Sequence, residues 1–195
     1  MRLGVHSRVP RNAPGDQTQG GKRILSGEAG KPDLGRLRRV AEAVWPVGEG
    51  VEDPWANTKA GRWMAPEGQT VVRAGLLAWN AVEKESGANP RQVGILVVGV
   101  EGFWPEWLEG KSPAEIAALW RSKPPLWLLE CLPNLPAAQL AIEIGAKGPV
   151  ESRRSRADDE MMIQKTLRRW QRRGVRTILL VRSAGETAKA EVWEL

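Results

Sequence analysis

The densest apolar pattern in the chain is VGILVVGV, Val93 to Val100, a branched run bounded by Pro90 and Gly102. Strands that are apolar on both faces lie in the middle of helix-covered sheets, so this run predicts a buried central strand. Upstream, Val71, Val72, Ala74, Leu77, Ala78 and Val82 spread over a wide arc of Glu67 to Ser86, predicting a well-buried helix with Gly87 just beyond its end. Downstream, the helix opened by Pro133-Asn134 carries Ala137, Ala138 and Ala141 on one face and breaks at Gly145 to Pro149. A short strand, a charged helix over Asp158 to Gly174 and the strand VRTILLV follow. VRTILLVRS and AKAEVWEL flank Ala184-Gly185-Glu186-Thr187, a loop of hairpin length.

The N-terminal third is less regular. MRLGVHSRV alternates like a first strand and stops at Pro10, and residues 10–32 and 46–66 are Gly/Pro-rich and irregular. Between those segments Leu34, Leu37, Val40, Ala41 and Val44 recur at helical spacing behind a candidate cap, Asp33, which predicts a helix stopping at Trp45-Pro46. Ser112-Pro113-Ala114-Glu115 is a capping box opening a short helix through Trp120, with Ile116, Leu119 and Trp120 on one face. The whole reads as one α/β domain over residues 1–195, with a central mixed five-stranded sheet and helices on both faces.

Pro133-Asn134, the Ala/Leu/Ile helix, Gly145, Gly148-Pro149 and the helix and strand from Val71 to Gly99 stand in an order that resembles the N-terminal half of the β-ketoacyl synthases, which have the thiolase-like fold. The resemblance covers roughly residues 62 to 181 and implies a shortened, degenerate single thiolase-like half. It also places a nucleophilic cysteine on the elbow after the short strand. Here that position falls on Ala157, the one cysteine, Cys131, precedes the helix, and the one histidine is His6. Claisen condensation through a cysteine thioester has no nucleophile at Ala157. A serine hydrolase built on Ser152 or Ser155 lacks a histidine or acid at readable spacing.

The function implied is that of a non-catalytic, pseudoenzyme-type accessory or partner subunit in fatty acid or polyketide biosynthesis, contacting an acidic acyl carrier protein or an active synthase. A homodimer is a further arrangement. The alternative is a stand-alone binding module whose basic helix grips an acidic protein or nucleic acid.

Charge bears on that choice. The chain carries +6, and the segment Glu151 to Arg176 holds nine basic residues against four acidic ones, +5 of the total. Met162, Ile163, Thr166, Leu167 and Trp170 form one apolar stripe of the charged helix, so its basic side faces away from the sheet. Arg153, Arg154, Arg156, Lys165, Arg168, Arg169, Arg172 and Arg173 are the candidate partner-binding residues. Three readings stand: a solvated face, an acidic protein partner and, less favoured because no known nucleic-acid motif accompanies it, nucleic acid. Full synthases bury the corresponding helix between two sheets, and leaving several of these charges unpaired there would cost several kcal/mol each.

Other chemistry is sparse. The loop EGFWPEWLEG follows the C-terminal end of the Val93 strand, where open α/β sheets place ligands. Phe103, Trp104 and Trp107 there either line an acyl pocket or pack helix to sheet, the second being favoured. One His and one Cys give no metal site, and no cofactor motif is present; Gly20-Gly21-Lys22-Arg23 lacks the ending of a phosphate loop. Cys131 reads as a small buried hydrophobe. Ten tryptophans beside one Phe and no Tyr fit a GC-rich source genome. No signal peptide or apolar run near the roughly 18 residues of a membrane span is visible, which predicts a cytoplasmic protein.

Overall fold

Every residue of Val93–Val98 is buried, and this strand sits inside the sheet as the run predicts. In the computed structural model, which describes residues 37–46, 50–56, 59–82, 87–123, 126–154 and 159–194, the strands are β1 (Arg38–Trp45), β2 (Val93–Val98), β3 (Val150–Arg153), β4 (Thr177–Ala184) and β5 (Thr187–Glu194). The helices are α1 (Pro66–Asn80), α2 (Pro113–Trp120), α3 (Leu135–Glu143) and α4 (Asp159–Arg172). The chain divides into Met1–Lys31 and Pro32–Leu195, and all of these elements belong to the second unit.

The sheet order is β1-β5-β4-β2-β3. β2 pairs in parallel with β3 and β4, while β5 runs antiparallel to β4 and to β1. The expected hairpin is present, with Ala184 opposite Thr187 across its turn. Alternation then sorts the side chains into two cores. Ile95, Val97, Leu179, Val181, Ala190 and Val192 face α1 and α3. Leu96, Val98, Ile178 and Leu180 face Ile163, Leu167 and Trp170 of α4. Helices therefore cover both faces of a mixed five-stranded sheet.

α1 and α3 approach closely because α1 is glycine at the contact: a Cβ on Gly75 would lie 2.6 Å from Leu140 Cδ2. Ala137 is buried in that seam and Ala141 half-buried, whereas Ala138 is exposed, so the expected small-residue face is narrower than three alanines. α1 ends at Asn80 with Ala81 as its C-cap, earlier than the Ser86 expected; residues 83–86 lie outside the described residues. The capping box of α2 forms, with Ser112 N–H donating to Glu115 Oε2 at 2.8 Å. α2 lies on the surface: Ile116 and Leu119 are only half-buried and Trp120 is exposed.

One expectation is overturned. The helix expected over 34–44 is not formed by its described residues, 37–44; Arg38–Trp45 is the edge strand β1, and residues 34–36 lie outside the described residues. Its register shifts between Arg39 and Ala41, and this irregularity sets Val40 and Ala41 together against the α1 core. Beyond it Ala41, Ala43 and Trp45 alternate inward, while Leu37 joins the opposite core and Val44 is exposed. The apolar positions that mimic a helical face thus belong to three environments. The five-strand count holds with β1 as the fifth strand; the strand expected at MRLGVHSRV and the irregular segment 10–32 lie outside the described residues.

Candidate functional site

The junction from β3 to α4 is built from opposed demands on one short stretch of chain. β3 is the sheet edge beside β2, held there by pairs such as Ile95 with Val150, and Gly99 N–H donates to Arg153 O at 2.9 Å just past the end of β2. α4 returns over the same face and buries Ile163, Thr166, Leu167 and Trp170, four of the five residues of the expected stripe; Met162 is half-buried. Trp170 is the largest fully buried side chain of the chain's described residues.

Glu151 of β3 ties the two elements. Its carboxylate accepts from Trp170 Nε1 at 3.2 Å and from Arg153 Nη2 at 3.3 Å, and pairs with Arg169. Sequence reading counts Glu151 only as one acid in a basic segment. Its place in the alternation of Val150–Arg153, opposite an indole needing an acceptor, is the signal that identifies it.

The outward face of α4 carries Lys165, Arg168, Arg169, Arg172 and Arg173, all exposed, around an open depression of about 380 Å³ lined by these five alone. Arg154 is exposed and Arg153 half-buried in its pair with Glu151. Arg156, and with it Ala157, lies outside the described residues. Glu160, at the start of α4, turns the other way and pairs with Arg182 of β4 at 3.2 Å.

Arg182 leads to a cluster that sequence reading misses. Glu191 of β5 is almost fully buried, yet takes Arg39 at 2.8 Å, Arg182 at 2.6 Å and Lys189 at 3.5 Å. Burial pushes its carboxyl up, and the Arg39 hydrogen bond, the charges of Arg182 and Lys189 and the Arg182 hydrogen bond outweigh it, leaving the pKa below the ordinary value. The cluster joins three strands, which no linear pattern exposes.

The loop after β2 separates the three aromatics. Phe103 lines a small cavity of about 100 Å³ with Met64, Val100, Leu129, Leu132 and Pro136. Trp104 is 65% exposed and Trp107 packs edge-on against Trp127, 4.7 Å between ring centres, with the Lys123 ammonium over its face. Neither lines this cavity.

Nucleophiles are few. Cys131 is half-buried at the end of a 3₁₀ turn; burial, then the charge of Glu130, pushes its thiol up. Ser152 Oγ donates to Pro133 O at 2.9 Å, and Ser155 lies outside the described residues. Among the described residues no group of three or more His, Cys, Asp or Glu could hold a metal, and no helix is long and apolar enough to cross a membrane.

The fold, a mixed five-stranded sheet covered by helices on both faces, is similar to the thiolase-like fold of solved ketosynthases. Among solved structures, the ketosynthase ApeO in complex with its chain length factor ApeC from Xenorhabdus doucetiae matches with a TM-score of 0.51 and 16% identity, over 81% of this chain and 78% of that chain. A second, AntDE:AntF, a type II PKS acyl-carrier protein in complex with its ketosynthase bound to the hexaketide, matches with a TM-score of 0.57 and 16% identity. That match covers 76% of this chain and 51% of the other, so the chain spans about half of it. No protein-family model and no curated protein matches the sequence.

Proposed function

We propose that this chain is a non-catalytic, ketosynthase-like partner subunit that contacts an active condensing synthase, or the acyl carrier protein serving it, in fatty acid or polyketide biosynthesis. The observation that carries the reading is the pairing of a ketosynthase-like fold with alanine, Ala157, where the resemblance puts the nucleophile. The one cysteine does not replace it, because it lies in a 3₁₀ turn ahead of α3 with its thiol held in the less reactive form. The match to a chain of similar length within a two-protein synthase complex supports a role beside a synthase. The Phe103 cavity, large enough for a few methylenes, is the candidate acyl contact, and Phe103 rather than Trp104 or Trp107 is its aromatic wall.

The test is co-expression with the condensing synthase and carrier protein of the same genome, followed by size-exclusion chromatography and a malonyl-incorporation assay. The expected result is co-elution with the synthase, product formation that depends on the synthase's cysteine, and no change with Cys131→Ala. Product from this chain alone that disappears on Cys131→Ala overturns the proposal. The basic face of α4 favours a second reading, a stand-alone module for an acidic ligand, which predicts carrier or other acidic-protein binding without synthase co-elution.

A further inference from the structure

We propose that the open depression between the 3₁₀ turn Lys59–Trp63 and α1 is a binding site for a small soluble phosphate ester, held by Lys59, Arg62 and Arg73. It lies on the α1 side of the sheet, away from the basic face of α4, and does not rest on the subunit reading.

Local geometry gathers the cations. Residues three apart eclipse in a 3₁₀ turn, so Lys59 and Arg62 stand on one side of theirs. Gln69 and Arg73 are one turn apart on α1 and share a face. The Gln69 amide fastens the two elements together: Nε2 donates to Gly61 O and to Met64 O, each at 3.0 Å, and Oε1 accepts from Arg73 Nη1 at 3.1 Å. The depression of about 480 Å³ that results is lined by Lys59, Arg62, Gln69, Arg73, Trp55 and two small residues, with no acid among them.

Arg73 is the fixed member of the three. Its Nε donates to Asp53 Oδ2 at 2.8 Å, and the carbon of its guanidinium lies 5.5 Å from the ring centre of Trp45 and 5.9 Å from that of Trp55. These contacts use Nε and Nη1 and leave Nη2 without a hydrogen-bond partner among the described residues. A cation already held in place loses little freedom when a ligand arrives.

The acids close by are committed. Asp53 also accepts from the Trp55 backbone N–H at 2.9 Å, and Glu143 accepts from Trp55 Nε1 at 3.1 Å and Gln139 Nε2 at 2.7 Å. Lys59 and Arg62 are exposed, and neither has an ion pair among the described residues. With Asp53 set against Arg73, two positive charges remain, which matches a phosphate monoester near neutral pH. An arginine fork takes phosphate with two parallel hydrogen bonds, and a lysine adds a point charge. Arg73 is recessed, its side chain 20% exposed, so a free ester reaches it where a headgroup held in a bilayer plane does not.

A nitrogen-15 NMR titration of the full chain tests this, with inorganic phosphate, glycerol 3-phosphate and acetate as probes. At about 50 mM salt both phosphates should give saturable shifts at the backbone amides of residues 59–62 and bind at least about fivefold tighter than acetate. Lys59→Gln/Arg62→Gln should weaken phosphate about tenfold or more, and Arg73→Lys, which keeps the charge and loses the fork, should weaken it less. Lys165→Gln/Arg172→Gln/Arg173→Gln, on α4, should leave phosphate affinity unchanged, which separates this site from the overall positive charge. The glutamine substitutions fall on exposed side chains, so a thermal melt equal to that of the parent removes misfolding as an explanation. Acetate binding as tightly as phosphate, shifts centred on α4, or an unchanged affinity in the Lys59/Arg62 variant each overturns the proposal. So does sedimentation with vesicles of phosphatidylcholine and phosphatidic acid in the absence of binding to either soluble phosphate.

Discussion

The indole N–H of Trp170 donates to Glu151 Oε1 at 3.2 Å, joining the one tryptophan of α4, fully buried, to the edge strand β3. The same carboxylate pairs with Arg153 and Arg169, whose side chains are 27% and 45% exposed. The two kinds of bond differ in worth. Exposed ion pairs contribute at most about 1 kcal/mol, whereas a buried donor left without an acceptor costs about 1–3 kcal/mol. Glu151→Gln keeps an oxygen for the indole and should cost less than about 1 kcal/mol, and Glu151→Ala about 2 kcal/mol, both read from urea unfolding. Equal losses in the two variants would show that the indole bond contributes nothing.

Trp170 also sets the identity of Gly94. A Cβ at Gly94 would stand 2.7 Å from Trp170 Cε3 and 2.9 Å from Cζ3. Gly94 lies in regular strand with no positive φ, so the penalty for Gly94→Ala is overpacking and should be about 1–3 kcal/mol. In a Trp170→Leu background the same substitution should cost markedly less, because contacting residues couple. An additive double mutant would locate the strain elsewhere.

What was legible in the sequence follows from how each element is stabilised. β2, α1, α3, β3, α4 and the β4–β5 hairpin each bury a face through a local period or mark an end with Gly, Pro or a capping box, and these were readable. β1 was not. Its irregularity between Arg39 and Ala41 breaks the period of two, and Val44 is apolar but exposed, so Leu37, Val40, Ala41 and Val44 imitate a helix. The basic stripe of α4 was legible because both its sides obey one helical period. The Phe103 cavity draws on α1, the loop after β2 and the 3₁₀ turn before α3, and the Glu191 cluster on β1, β4 and β5; such convergence is visible only in the fold.

The Glu191 cluster makes stability depend on acid. Its folded pKa lies below the ordinary 4.5, so its charge contributes stability above the unfolded pKa, and that contribution is lost as pH falls through the folded value. Arg39 and Lys189 are each 42% exposed, which screens part of the attraction. Glu191→Gln should therefore cost roughly 2 kcal/mol at neutral pH, less than the 3–5 kcal/mol of a fully buried pair. The difference from the parent should narrow once the pH drops below about 4.5. Unfolding curves from pH 7 down to about pH 3 read it, and a constant difference would mean that the carboxylate is not the stabilising form.

Cys131 gives the sharpest test of the absence of thiol chemistry. Burial is the larger influence on it and the charge of Glu130 the second, and both disfavour the thiolate, so its pKa is raised above the ordinary 9.0. The thiolate is the nucleophile, and a raised pKa leaves less of it at neutral pH. Alkylation by iodoacetamide at pH 7.5 should be slower than that of glutathione by at least about threefold, since half-burial adds restricted access to the shortage of thiolate. The rate should keep rising with pH through and beyond 9.0, where an ordinary thiol is already half ionised. Cys131→Ala should abolish labelling and leave synthase co-elution unchanged. A rate that levels off below pH 9.0 would mark an activated cysteine and return condensing chemistry to this chain.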